Sequence, residues 1–92
     1  MGAEILEEVF AVIKDRKRDP KPESYVAGLL ASGRAAEKVD EEAKELVEAA
    51  AGEDRRAIVH EAADLIFHEL VLLAEKGVEM EEVMEELRRR RR

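Results

Sequence analysis

The chain has 92 residues and a net charge of −7, with 42% charged, 46% hydrophobic and 3% aromatic residues. This length predicts one domain over 1–92 with a small core, so association between copies is a natural way to bury more apolar surface. The acidic balance argues against nucleic-acid binding, and the lack of cysteine excludes disulfides, thiolate metal sites and cysteine nucleophiles. Since neither a signal-peptide pattern nor a membrane-length apolar run is present, we expect a soluble cytoplasmic protein that binds no membrane.

Helical periodicity runs through the apolar residues and predicts an all-α fold, a bundle of four main helices plus a short one. The predicted helices cover residues 4–16, a short stretch between a Ser24 N-cap and a Ser32–Gly33 break, residues 34–51, residues 55–76, and a last segment from about residue 79. Asp54 suits an N-cap, and Gly52 and Gly77 suit helix ends. In so acidic a chain the run Arg88 to Arg92 favours a frayed basic tail that complements a helix C-terminus.

On the third helix, three polar residues share one edge of the apolar arc: Lys38, Glu42 and Glu45. The arc that we expect to face the core consists of Val39, Ala43, Leu46, Val47 and Ala50. The E-x-x-E spacing alone favours a solvated face, because a chain this acidic contains such pairs by chance.

The fourth helix is apolar in nearly every direction, which is typical of a helix surrounded by protein. One narrow stripe on it nevertheless carries Glu61, Asp64, His68 and Glu75. No lysine or arginine lies between Ala57 and Glu75, so these carboxylates need protonation, pairing or a metal. The pairs Glu42/Glu45 and Glu61/Asp64 could converge on one Mg²⁺ or Mn²⁺, which prefer oxygen ligands and bind substrate phosphates. That arrangement predicts metal-assisted hydrolysis.

The sequence argues against two other interpretations of the acidic residues. A di-iron carboxylate bundle requires a Glu-x-x-His pair from each of two helices, but Glu61 and His68 have the wrong spacing and the third helix has no histidine. A non-catalytic helical dimerisation module gains nothing from a buried acidic stripe.

The segments KVDEEAKELVEAA (38–50) and HEAADLIFHELVLLAEKGV (60–78) resemble the phosphoribosyl-ATP pyrophosphohydrolase family. This family belongs to the MazG-like all-α NTP pyrophosphohydrolase superfamily, and the resemblance extends upstream through ILEEVFAVIKDRK and Ser24-Tyr25. The superfamily hallmark is E-x-x-E, a gap, then E-x-x-D. Its four positions fall on Glu42, Glu45, Glu61 and Asp64.

The resemblance implies hydrolysis of the α–β phosphoanhydride of phosphoribosyl-ATP to phosphoribosyl-AMP and pyrophosphate, the second step of histidine biosynthesis. It also implies Mg²⁺ as cofactor, held by the four catalytic carboxylates, and a homodimer as assembly. Two positions depart from the family pattern. Asp40 stands where glycine is usual, and Glu69 places a charge where an apolar residue is usual.

Four further residues have both a functional and a structural interpretation. Lys38 could contact substrate phosphate or neutralise Glu42 as an i,i+4 partner. The resemblance places Ser24 and Tyr25 at the substrate, although capping explains the serine equally well. His68 could hydrogen-bond a ligating carboxylate or be a satisfied core histidine.

A house-cleaning nucleoside triphosphate pyrophosphohydrolase of the same superfamily is the alternative function.

Overall fold

The computed structural model describes Gly2 and residues 4–91, and every regular element within them is an α-helix. The helices are α1 (Glu4–Arg18), α2 (Tyr25–Ser32), α3 (Ala35–Gly52), α4 (Arg55–Glu75) and α5 (Met80–Arg90). The all-α prediction is confirmed. Met1, Ala3 and Arg92, which the predicted 1–92 domain includes, lie outside the described residues.

Side-chain caps begin two of the helices at the predicted residues. Ser24 Oγ accepts the amide of Ala27 at 3.1 Å and begins α2. Asp54 Oδ1 accepts the amides of Arg56 and Ala57 and begins α4. These bonds satisfy amides that have no partner within the helix.

Two predicted helix ends lie earlier than the ends in the structure. Helix α1 continues to Arg18, because the residue that restricts the backbone is Pro20 rather than the basic run before it. Gly52 is the last residue of α3 and not its stop. The left-handed residue is Glu53, with φ of 59°, whose amide bonds the carbonyls of Ala49 and Ala50.

Helix α4 is the centre of the molecule, and α1, α2 and α3 all pack against it. The core joins residues from all five helices: Phe10, Ile13, Val26, Leu29, Ala35, Leu70, Val71, Ala74 and Met80. The ammonium of Lys17 donates to the main-chain oxygen of Ala74 at 2.7 Å and fixes the end of α1 beside the end of α4. Helix α5 is attached through buried Met80 and a 2.8 Å ion pair between Lys14 and Glu79.

Helix α3 presents a different face to α4 than the apolar pattern predicts. Val47, expected in the core, is 69% exposed, whereas Glu42 is only 5% exposed. Ala50 is exposed as well. The reason is that α3 packs mainly against one neighbour, α4, which covers the sector around Glu42 and leaves the Val47 side of the apolar arc open.

The arginine run belongs mostly to α5. Arg88, Arg89 and Arg90 form its last turn, so the expected frayed tail is wrong for these residues. Arg88 pairs with Glu81 and Glu85, and the next two arginines pair with Glu86. These acid-first, base-last pairs complement the helix dipole. Within the described chain, no helix combines the length and the apolar character needed to cross a membrane.

Candidate metal centre

Three carboxylates from two helices meet where α3 faces α4. Glu42 and Glu45 of α3 and Glu61 of α4 each offer an oxygen, and these oxygens lie within 4.8 Å of one another. Glu42 is buried, Glu61 is half-buried and Glu45 is exposed. The structure therefore brings together three of the four predicted ligands in a cluster that has a closed side and a side open to solvent.

Asp64, the fourth predicted residue, belongs to a second cluster that shares Glu61. Its members are His60, Glu61 and Asp64, again with one ligand atom each within 4.8 Å. His60 Nε2 lies 3.3 Å from Asp64 Oδ2, on a side chain that is largely exposed. Sequence reasoning assigned His60 no role, although its i,i+4 spacing to Asp64 is a signal of this contact.

Two oxygens of these clusters are buried without a partner. Within the part of the chain that the structure describes, Glu42 Oε1 and Glu61 Oε1 accept no hydrogen bond. Two like charges about 4 Å apart repel by roughly 4 kcal/mol at an effective dielectric of about 20, so gathering three carboxylates is unfavourable without a cation. A set of oxygen donors with orphaned buried members fits a hard divalent cation such as Mg²⁺ or Mn²⁺.

Lys38 lies one turn before Glu42 and contacts two acids. Its Nζ is 3.2 Å from Glu41 Oε1 and 3.5 Å from Glu42 Oε2. The hydrogen bond with Glu41 is the main cause that raises the pKa of Lys38 above the ordinary lysine value. The stabilisation from this pairing is therefore complete below the ordinary lysine pKa and is lost only as pH rises past the raised one. At neutral pH, a positive charge stands at the edge of the carboxylate cluster.

His68 is buried beside Asp64 and bonds with both ring nitrogens. Nδ1 lies 2.8 Å from the main-chain oxygen of Asp64, and Nε2 lies 2.9 Å from the hydroxyl of Tyr25 on α2. The expected bond from His68 to a ligating carboxylate is thus not the one that forms. His68 Nδ1 bonds the main-chain carbonyl of Asp64 and not the Asp64 carboxylate. Sequence reasoning also missed the link to Tyr25, because nothing local connects positions 43 residues apart.

The remaining predicted residues lie around these clusters. The oxygen of Ser24 is used as the N-cap of α2, directly before Tyr25. Glu75 belongs to neither cluster; its Oε1 is buried without a partner in the described chain, and its Oε2 is 3.5 Å from the neighbouring Lys76 Nζ. Asp40 is exposed and pairs with Lys44 at 3.1 Å.

Glu69, the second departure from the family pattern, is exposed at the edge of an apolar groove of about 460 Å³ between α4 and α5. Its charge therefore meets solvent and is not enclosed by the apolar side chains that line the groove.

Comparison with known proteins decides the family. The profile of the phosphoribosyl-ATP pyrophosphohydrolase family matches residues 6–91. The chain belongs to this family. Among the curated phosphoribosyl-ATP pyrophosphatases, that of Methanocella arvoryzae is 45% identical over 98% of this chain and 99% of its own length. That of Metallosphaera sedula is 47% identical over 95% and 96%, and that of Pyrobaculum calidifontis is 46% identical over 98% of each chain.

Membership in the phosphoribosyl-ATP pyrophosphohydrolase family agrees with the resemblance drawn from the E-x-x-E and E-x-x-D residues. All four of those residues, Glu42, Glu45, Glu61 and Asp64, fall inside the matched range. The fold places each of them in at least one of the two overlapping clusters, which also include His60.

Proposed function

We propose that this protein hydrolyses the α–β phosphoanhydride of phosphoribosyl-ATP, releasing phosphoribosyl-AMP and pyrophosphate, as the second step of histidine biosynthesis. The relatives that carry this activity in their names align over nearly their whole length at 45–47% identity. The observation that carries the proposal is the convergence of Glu42, Glu45 and Glu61, with two buried oxygens that lack partners in the described chain.

Mg²⁺ is the proposed cofactor, with Mn²⁺ as a substitute. Glu42, Glu45 and Glu61 would hold it from two helices, with Asp64 adjoining through the second cluster. When bound, Mg²⁺ neutralises phosphate oxygens and lowers the pKa of a coordinated water. Rigid helices on both sides set the positions of the carboxylates, which favours a fixed geometry.

The attacking group in the proposed reaction is water. The described side chains of the two clusters are carboxylates and one imidazole; the proposal assigns the carboxylates to holding the cation and not to a covalent intermediate with phosphorus. The water oxygen bonds to the α-phosphorus while the bond from that phosphorus to the bridging oxygen breaks; pyrophosphate leaves, and the proton lost by the water passes to solvent. Lys38, which lies beside Glu42, is proposed to contact a phosphate oxygen.

Substrate contacts on the α2 side are proposed for Ser24 and Tyr25. Tyr25 is 54% exposed although its hydroxyl is bonded to His68. An aromatic face that is held in place and open to solvent suits contact with the flat or apolar part of a nucleotide. Ser24 precedes it and fixes the start of the helix.

A homodimer in the cytoplasm is the proposed state of the enzyme. The apolar side chains of Val47, Val59 and Ile66 are 69%, 62% and 44% exposed. We take these residues, which lie on two adjoining helices, as part of the association surface. A second copy covering them would enlarge the small core of a 92-residue chain.

The test is pyrophosphate release with Mg²⁺, from phosphoribosyl-ATP and separately from a panel of ordinary nucleoside triphosphates. Release from phosphoribosyl-ATP alone is expected. Release mainly from the triphosphate panel would instead support the house-cleaning function, and release from neither would support a non-catalytic dimerisation module.

A pair of substitutions tests whether the activity depends on the candidate metal centre. Asp64→Asn should lower kcat by more than the roughly 10–100-fold loss typical of residues that only support a ligand, with helical circular dichroism unchanged. Asp40→Asn makes the same chemical change at an exposed position paired with Lys44 and should retain wild-type activity. Full activity of Asp64→Asn would remove Asp64 from the metal site.

A further inference from the structure

The contact between Tyr25 and His68 joins α2 to the part of α4 that carries the acidic clusters. A main-chain oxygen can only accept, so the 2.8 Å bond between His68 Nδ1 and the Asp64 carbonyl places the proton on Nδ1. In the neutral ring Nε2 then has a lone pair, and the Tyr25 hydroxyl donates to it at 2.9 Å. The two bonds form a chain from Tyr25 through His68 to the main chain of Asp64.

The imidazole is also fixed by its surroundings. His68 is 6% exposed, and its ring makes edge contacts with the rings of Tyr25 and Phe67, at centroid distances of 5.8 and 5.2 Å. Both ring nitrogens are therefore hydrogen-bonded, and two aromatic rings contact the imidazole. His68 therefore donates nothing to the carboxylates of Glu61 and Asp64, although it shares their stripe on α4.

We infer that Tyr25 is a positioning residue for the metal centre: through His68 it holds the Asp64 turn of α4 and keeps the imidazole away from the carboxylates. The inference rests on the proposed metal site. It assigns Tyr25 an effect on metal binding that needs no contact with substrate.

Loss of the Tyr25 hydroxyl leaves a buried acceptor on His68 without a partner, which is costly. The ring can relieve that cost by changing tautomer and turning an N–H toward Asp64 or Glu61. A carboxylate that accepts such a bond is less available to a cation, so metal affinity falls. Removing groups that orient ligands typically weakens metal binding by about 10–100-fold, and the lower end is expected here because the bond reaches the main chain of Asp64.

The experiment measures binding of Mn²⁺ alone, by the electron paramagnetic resonance signal of the free ion, without substrate. Tyr25→Phe keeps the ring and should weaken Mn²⁺ binding about tenfold. Ser32→Ala is the matched control, since it removes another hydroxyl of α2 that bonds the Leu29 carbonyl, and it should bind Mn²⁺ as the wild type does.

A double-mutant cycle separates positioning from a direct role of Tyr25. His68→Asn keeps a donor near Nδ1 but cannot reach the tyrosine. If Tyr25 acts through His68, then Tyr25→Phe causes no further loss of Mn²⁺ affinity in the His68→Asn background. A full additional loss in that background would overturn the inference.

Nitrogen-15 NMR of His68 gives a readout independent of metal and of variant folding. The wild type should show a proton on Nδ1 and none on Nε2, and a wild-type proton on Nε2 overturns the inference.

Asp64→Asn is the reference variant for Mn²⁺ binding at the proposed site. If it leaves Mn²⁺ affinity unchanged, Asp64 does not belong to the metal site, and the positioning role of Tyr25 falls with that part of the proposed function. If it weakens binding while Tyr25→Phe does not, only the positioning role fails.

Discussion

Glu42 is 5% exposed and has one oxygen that is buried without a hydrogen-bond partner in the described chain. Its other oxygen is 3.5 Å from Lys38, which bonds Glu41 more closely, at 3.2 Å. A buried carboxylate with half of its bonding capacity unused destabilises the metal-free fold by several kcal/mol before compensation. In the proposed metal site a bound cation would offset this cost, so stability and metal binding should be linked at this residue.

The prediction at the residue scale concerns Glu42→Gln. Removing the buried charge relieves its repulsion with the neighbouring carboxylates, while Lys38 keeps its closer partner Glu41, so the free energy of unfolding of the metal-free protein should rise by about 1 kcal/mol, a fraction of the full Coulomb repulsion. The wild type should gain about 2.7 kcal/mol at a Mg²⁺ concentration 100 times Kd, and the variant should gain almost nothing. Urea unfolding with and without Mg²⁺ measures both effects.

Glu41→Gln is the matched control for this substitution, because it removes a neighbouring exposed carboxylate that also contacts Lys38. It should leave the Mg²⁺-dependent gain intact. If Glu42→Gln also retains that gain, Glu42 does not bind the metal.

Among the elements, α2 is the shortest helix and begins with the Ser24 cap immediately before Tyr25. Ser24→Ala should reduce the free energy of unfolding by about 1 kcal/mol, and Ser24→Asp should preserve it because aspartate is an equally good N-cap. The midpoint of urea unfolding measures the difference. If the serine also contacts a phosphate of the substrate, Ser24→Asp should raise KM through charge repulsion while stability stays unchanged.

Ser32→Ala, at the other end of α2, is the comparison for the cap and should have a smaller effect on stability. If Ser24→Ala and Ser32→Ala reduced the free energy of unfolding equally, the 3.1 Å bond from the Ala27 amide to Ser24 would contribute no more than an ordinary side-chain hydrogen bond.

Helix positions and caps were largely predictable, because they depend on residues a few positions apart. Ser24 and Asp54 cap the predicted helices, and the predicted bounds of α1, α3 and α4 differ from the structure by no more than two residues. The orientation of α3 was not predictable. Periodicity shows that Val47 belongs to an apolar arc, but how far that arc is buried depends on which helices pack there, and Val47 is 69% exposed.

In the candidate site too, features that depend on residues close together in the sequence were predictable, and features that depend on how the helices pack were not. The four carboxylates were selected from spacing, apolar surroundings and family resemblance. Their division into two clusters that share Glu61 depends on the rotation of α3 against α4. The bond from Tyr25 to His68 depends on where α2 lies on α4, which no local pattern in the sequence specifies.

For the whole molecule, the prediction concerns the proposed homodimer. Val47 and Val59 lie at similar distances from the α3–α4 turn, one on each helix, and both are exposed. Val47→Glu and Val59→Glu should each convert a dimer into a monomer in sedimentation equilibrium, because each would bury a charge in an apolar contact. Val12→Glu makes the same change on α1, where the valine is 51% exposed, and should leave the dimer intact.

A wild-type monomer at micromolar concentration would contradict the proposed assembly. A dimer that survives both substitutions on the α3–α4 hairpin would move the interface elsewhere, and the apolar groove beside α5, lined in part by Val83 and Leu87, would then be the surface to substitute next.

The sharing of Glu61 between two clusters has a consequence for how this protein can vary. Two separate ion sites would provide redundancy, so that damage to one left the other working. Here both clusters use the same carboxylate, so a single substitution at Glu61 removes an oxygen donor from each. If the proposed metal centre is correct, position 61 should tolerate substitution less than position 45 or 64, each of which belongs to one cluster.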